Sequence, residues 1–165
     1  MKPLINIADL TETRELFHAD KFSAKLYPIA SKIGAKKLGY NLTVVPPGKA
    51  AFPFHNHHGN EELFYVIEGA GKLRFGKDEY DVRPGDVVAC PPGGPEKAHQ
   101  FVNTGATDLK YLAVGTTLEC DVYQYPDSGK FGATGGRVAG TWPPEASFQS
   151  KFYDESTNVD YWKGE

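Results

Sequence analysis

Between Leu38 and Tyr125 the chain repeats one pattern, a short run of alternating apolar and polar residues closed by a turn signal. The runs are KKLGYNLTVV, FPFHNH, ELFYVIEG, GKLRFG, EYDVRPG, DVVACPPG, HQFVN, LKYLAVG and CDVYQY. Gly-Ala-Gly, Gly-Lys-Asp, Pro-Gly-Asp and Asn-Thr-Gly mark the turns between them. Alternation with period two is the signature of a half-buried strand, and many such strands with no helical pattern between them lead to an antiparallel sandwich or barrel. In the first run Leu38, Tyr40, Leu42 and Val44 share one side, and Pro46, Pro47 and Gly48 end it.

The flanks read differently. From Glu12 to Lys32 the spacing of Leu16, Phe17, Phe22, Leu26 and Ile29 predicts an irregular arm with helical turns. After Tyr125 the alternation fades into a Gly- and Pro-rich stretch carrying Phe131, Trp142, Phe148, Phe152, Tyr153, Tyr161 and Trp162. Aromatics at this density predict a tail packed across the barrel or onto a second subunit, and with it a homodimer. A chain of 165 residues suits a single domain, with an arm over 1–36, a barrel over 37–125 and a tail over 126–165.

A net charge of −3 with scattered basic residues excludes the electrostatic footprint of a nucleic-acid binder. Cys90 and Cys120 stand far apart, so neither a disulfide framework nor a thiolate zinc site is indicated. The opening residues carry Asp9, Glu12 and Glu15 where a signal peptide needs an apolar core, and no apolar run reaches membrane-spanning length. The expectation is a cytoplasmic protein with a small-molecule substrate and no membrane or nucleic-acid partner.

Chemistry concentrates in FHNHHGNEELFYVIEG. On a strand, residues two apart share a face, so His55 and His57 point together. On the next strand Glu62, Phe64 and Val66 share a face, which makes the Glu62 carboxylate a third ligand if that face is the interior. His99 opens a later strand with Phe101 on its own side and supplies a fourth. His58 and Glu61 are the alternatives if the register slips by one. Three imidazoles and a carboxylate suit one divalent transition metal such as iron, manganese, nickel, zinc or copper, with positions left for substrate oxygen. Phe64, Phe101, Tyr40 and Tyr111 are the candidate pocket-lining residues. Cys90 reads either as a small buried hydrophobe or as a neighbour of the metal.

These residues resemble the cupins, whose first motif is matched by Gly48, His55, His57, Glu62 and Gly69 and whose second by Gly85, Pro91, Gly93, His99 and Asn103. Two spacings depart from the motif: six residues separate Gly48 from His55, and five separate Gly93 from His99. KLGYNLTVVPPGK, YPDSGK and the DYWKGE ending are similar to single-domain bacterial cupins of a sugar phosphate isomerase-like set. The resemblance implies an all-β double-stranded β-helix, a jelly-roll barrel. It also implies a metal-dependent enzyme acting on a sugar or sugar phosphate, with an iron(II) dioxygenase and a non-catalytic sugar-binding protein as alternatives. Glu61, Tyr40 and Tyr111 are candidate bases, and Lys130, Arg137, Lys97 and Arg74 are available to hold a phosphate.

Overall fold

Fourteen strands form the framework of the computed structural model, which describes residues 2–138, 145–148 and 152–164. They are β1 (Arg14–His18), β2 (Phe22–Pro28), β3 (Leu38–Val45), β4 (Asn56–His57), β5 (Glu62–Glu68), β6 (Gly71–Phe75), β7 (Asp78–Val82), β8 (Val87–Cys90), β9 (His99–Val102), β10 (Leu109–Thr116), β11 (Asp121–Tyr125), β12 (Lys130–Val138), β13 (Glu145–Phe148) and β14 (Phe152–Asp154). A single helical turn, α1 (Ala30–Ile33), joins β2 to β3. One sheet has the order β1-β2-β3-β10-β5-β8. The opposing wall is built from β7-β6-β9 and from β4-β11-β12, the two parts bridged where His55 pairs with His99. This is the all-β, double-stranded β-helix architecture. No helix among the described residues is long and apolar enough to cross a membrane.

The core lies between the two walls. Every second residue of three adjacent strands faces it: Thr43 and Val45 on β3, Leu109 and Tyr111 on β10, Phe64 and Val66 on β5. The larger row of β3 (Tyr40, Leu42, Val44) takes the other face, because register pairs Tyr111 with Thr43 and Leu109 with Val45. Gly69 closes the β5–β6 turn with φ +83°, and a Cβ there would lie 2.3 Å from the Asp108 carbonyl oxygen. Only glycine satisfies both the left-handed backbone and that approach.

Asn103 braces the seam between the walls. Its buried amide donates to the carbonyls of Val45 and Thr107, each at 2.8 Å, and its own carbonyl accepts from Gly48 N–H at 2.9 Å. The first and last residues of the two sequence motifs, Gly48 and Asn103, therefore meet to hold strand ends together, away from the chemistry.

The expected N-terminal arm is corrected. Residues 14–28 form a β-hairpin that extends the six-stranded sheet, with Ala24, Leu26 and Pro28 inward and Lys25 outward. The apolar spacing suits a loose helix or a strand alike, and the free edge of β3 supplied the hydrogen-bond partners that decided it. Phe17, assigned to a helical face, is 76% exposed. Past Tyr125, β12 pairs along β11 as a further barrel strand, with β13 and β14 on its far side. Phe131 stacks on Tyr153 at 5.6 Å, whereas Tyr161 and Trp162 are exposed. Trp142 lies outside the described residues.

Candidate metal centre

His55 and His99 are placed by a pair of backbone hydrogen bonds. His55 N–H donates to the His99 carbonyl at 3.2 Å and His99 N–H to that of His55 at 2.8 Å, so the two residues are direct antiparallel partners. This register survives the lengthened spacing before His99. Residues Pro95–Lys97 coil into a 3₁₀ turn that absorbs the extra length, and Gly93 N–H bonds the His57 carbonyl at 2.8 Å. His57 follows on the same face as His55, and Glu62 reaches in from β5 of the facing sheet.

His55, Glu62 and His99 close on one point, with His57 beside them. Glu62 Oε2 lies 3.0 Å from His99 Nε2, 3.5 Å from His57 Nε2 and 3.9 Å from His55 Nε2. His55, Glu62 and His99 offer ligand atoms within 4.8 Å of one another, and His57 joins them through Glu62. His58 turns away to Gln124, 2.8 Å distant, and Glu61 is exposed, so neither alternative register is adopted.

The remaining ring nitrogens show what the cluster is built for. His55 Nδ1 sits 2.8 Å from the Pro53 carbonyl, His57 Nδ1 2.6 Å from Asp121 Oδ2 and His99 Nδ1 3.3 Å from the Lys97 carbonyl. All three partners are acceptors, so each ring donates from Nδ1; in the neutral rings of His55 and His57 this leaves an Nε2 lone pair, while His99 Nε2 donates to Glu62 Oε2 at 3.0 Å. Three imidazoles gathered around one carboxylate form a donor set that a cation can displace protons from, and the backing acceptors are the outer partners that metal-bound histidines use. The residues fit a divalent ion.

Electrostatics agree. Burial raises the energy of a charged Glu62, yet its bond to His99 and the charges of His57, His55 and His99 outweigh that and hold its pKa down at about 2. Burial, with His99 next, lowers His55 to about 4, so this ring stays neutral at physiological pH. Burial acts against a charge on His57 too, but the hydrogen bond to Asp121 and the Glu62 charge prevail and raise its pKa.

Stability of the metal-free protein should therefore depend on pH. The unfolded chain binds protons at His55 from 6.5 downward while the folded chain resists until about 4, so acidification across that window destabilises the fold. Glu62 and Asp121, ordinarily 4.5 and 3.8 and each held near 2, extend the loss toward pH 2. His57 has the opposite sign, favouring the fold as pH falls toward 6.5. Melts of chelator-treated protein should peak near pH 6.5 and fall on the acid side; a flat profile from 6.5 to 4 would contradict this charge arrangement.

Sequence reasoning missed Asp121, which starts β11 and stands 64 positions from His57. Its buried carboxylate also accepts from Gly59 N–H at 2.9 Å and Asn60 Nδ2 at 2.7 Å. No local motif marks it. Asp121→Asn keeps the shape but removes the charge behind His57, and should weaken metal affinity about 10- to 100-fold, read by competition with a chelator dye.

Phe64, Phe101 and Tyr111 form the floor, with ring centroids 4.9 to 5.8 Å apart and Phe64 5.5 Å from the His99 ring. Burial pushes the Tyr111 phenol up, and Thr43 hydrogen-bonds it. Cys90 pairs with Glu62 across β8 and β5; burial, then the Glu62 charge, lifts its thiol to about 12, making it an inert neighbour of the site. On the open side, His57 and Glu62 face a cavity of about 240 Å³ whose wall includes Tyr40, Asn41, Ala113, Gly115 and Arg137. Gly39 pairs with Gly115 and Gly115 with Glu62, and a Cβ at Gly115 would lie 3.4 Å from Glu62 Cγ. Tyr40 borders the cavity from a register row, with Val114 and Leu63, that faces outward.

The cupin domain family matches residues 41–115, the stretch that carries all four converging side chains. Over 112 residues, 68% of this chain and 77% of the relative, the sequence is 30% identical to an uncharacterised protein of Methanocaldococcus jannaschii. The chain belongs to the cupin family. Over 70 residues this cupin is 34% identical to the oxalate-binding protein of Thermotoga maritima, a match spanning 42% of the chain and 54% of the relative. In fold it is similar to the crystal structure of a candidate sugar phosphate isomerase from Acidithiobacillus ferrooxidans, with a TM-score of 0.80, 24% identity and 96% of each chain covered.

Proposed function

We propose that this cupin is a metal-dependent isomerase of a small sugar phosphate. The observation that carries the proposal is the gathering of three histidine Nε2 atoms within 3.9 Å of the Glu62 carboxylate, beside a cavity of about 240 Å³. That volume lies below the ~300–1,000 Å³ of drug-sized sites and suits a compact metabolite. The near-complete fold likeness to the Acidithiobacillus protein supports the same substrate class.

A divalent ion held by His55, His57, Glu62 and His99 would supply Lewis acidity toward a carbonyl and its neighbouring hydroxyl. The chain's own contribution is positioning. Asp121 keeps His57 in the tautomer that turns Nε2 inward, and the aromatic floor excludes water beneath His99. Moving a proton between adjacent carbons needs a base at the cavity. Of the three candidates, Tyr111 is buried with its pKa raised and Glu61 is exposed off the wall, and only Tyr40 borders the cavity, at its rim from the outward row of β3.

Incubating the metal-loaded protein in D₂O with a panel of aldose and ketose phosphates tests the proposal. Stereospecific deuterium incorporation at one carbon is expected, and Tyr40→Phe should slow it. No exchange across the panel, with metal content verified, would overturn the isomerase reading.

The match to the oxalate-binding protein supports a second reading, capture of a small dicarboxylate without turnover. Calorimetry showing tight oxalate binding and no product would favour it. An iron(II) dioxygenase would instead consume oxygen on substrate addition.

A further inference from the structure

The cavity beside Glu62 carries one cation on its wall among the described residues, Arg137 near the end of β12. Arg74, Lys97 and Lys130 do not line this cavity. Arg74 is clamped by Asp127 at 2.8 and 3.0 Å and lies over the Phe54 ring, and Lys130 lies over Tyr125. Arg137 is different. Its backbone N–H bonds the Glu119 carbonyl, but its guanidinium makes no hydrogen bond or ion pair with any described residue. It is half-buried and close enough to the metal centre to disfavour a charge on His57. A partly desolvated guanidinium with no counter-ion among the described residues, facing a cavity, is a site prepared for an anion.

Asn41 adds a second donor to the same cavity. Thr43 Oγ1 donates to Asn41 Oδ1 at 2.7 Å, which orients the amide and leaves its Nδ2 without a partner among the described residues. Asn41 pairs with Ala113, one inward row from Gly115 and Glu62, so donor and proposed metal side share the cavity. The charge balance points the same way. Glu62 and Asp121 together balance a divalent ion, which leaves the Arg137 charge as the excess.

We propose that Arg137, aided by Asn41, is the anion anchor of this cavity, gripping the phosphate or carboxylate of a ligand whose other end addresses the Glu62 and His57 side. The inference rests on the cavity being the ligand site of the proposed enzyme, though not on the isomerisation itself. A planar fork holds two oxygens of such a group at once, which a lysine ammonium does not. The ligand class is thus a small acid or monophosphate carrying oxygens at both ends.

Calorimetric titration of the manganese-loaded protein with ribose, ribose 5-phosphate and oxalate tests this independently of turnover. Wild type should bind ribose 5-phosphate at least about 10-fold tighter than ribose, the worth of charge-assisted hydrogen bonds. Arg137→Gln should erase that preference, weakening the phosphate sugar about 10- to 100-fold, and Arg137→Lys should recover part of it. Manganese content and melting temperature should stay unchanged, since Arg137 is outside both the ligand set and the core. Loss of oxalate but not ribose 5-phosphate affinity in Arg137→Gln would support the anchor with a carboxylate as its anion. Equal affinities for ribose and its phosphate together with no oxalate binding, or wild-type affinities for both anions in Arg137→Gln, would overturn it. If D₂O exchange fails while Arg137→Gln still loses anion affinity, the anchor stands and the isomerase reading falls.

Discussion

Replacing His99 by alanine is expected to abolish stoichiometric uptake of a divalent ion. His99 is the most buried member of the cluster at 3% exposure, and its Nε2 makes the shortest approach to Glu62, 3.0 Å. Alanine removes one donor and opens a water path over the aromatic floor. The affinity loss should exceed the roughly 10- to 100-fold typical of an outer partner such as Asp121. Binding linked to folding makes the effect visible in stability as well. An ion at about 100 times its dissociation constant adds about 2.7 kcal/mol to the wild type, or roughly 5–11 °C in a chain of this size. His99→Ala should lose that increment, so its melts with metal and with chelator should coincide. Elemental analysis after dialysis gives the stoichiometry. A wild-type melt that ignores both metal and chelator would contradict the ligand set.

Phe64→Ala should produce the largest loss of fold stability. Phe64 is 6% exposed and touches three rings, Phe101 at 4.9 Å, Tyr111 at 5.8 Å and His99 at 5.5 Å between centroids. Truncation opens a cavity at the junction of both walls, where paired strands cannot collapse inward without breaking register. The cost should be about 3–5 kcal/mol, lowering the melting temperature by roughly 6–20 °C. Phe64→Leu refills much of the volume and should cost far less. Urea unfolding of metal-free protein separates this packing effect from metal linkage, and a loss below about 1 kcal/mol for alanine would show that the floor does not carry the core there.

Strand positions from Glu62 to Tyr125 follow the sequence runs closely, because alternation and turn chemistry are local and both are written in adjacent residues. The inward parity of Glu62, Phe64, His99 and Phe101 was legible for the same reason. The N-terminal hairpin was not, since Leu16, Phe22 and Leu26 fit two periods and the choice fell to the vacant edge of β3. Tyr40 borders the cavity from the outward row of β3, while the register row that faces the interior holds Asn41 and Thr43. Residues beyond Tyr125 lose clean alternation, yet β12 still pairs with β11, because a barrel edge accepts any backbone with free N–H and C=O groups.

Sequence by itself determined an all-β barrel and the residue types of its cluster, since both depend on spacing along a strand. Tertiary structure alone decided that Asp121 backs His57, that a 3₁₀ turn restores His99 to the level of His55, and that Arg137 and Asn41 share a cavity with Glu62. Those relations join strands far apart in the chain. They are set by which edges pair and in which register, and no short stretch of residues encodes that choice.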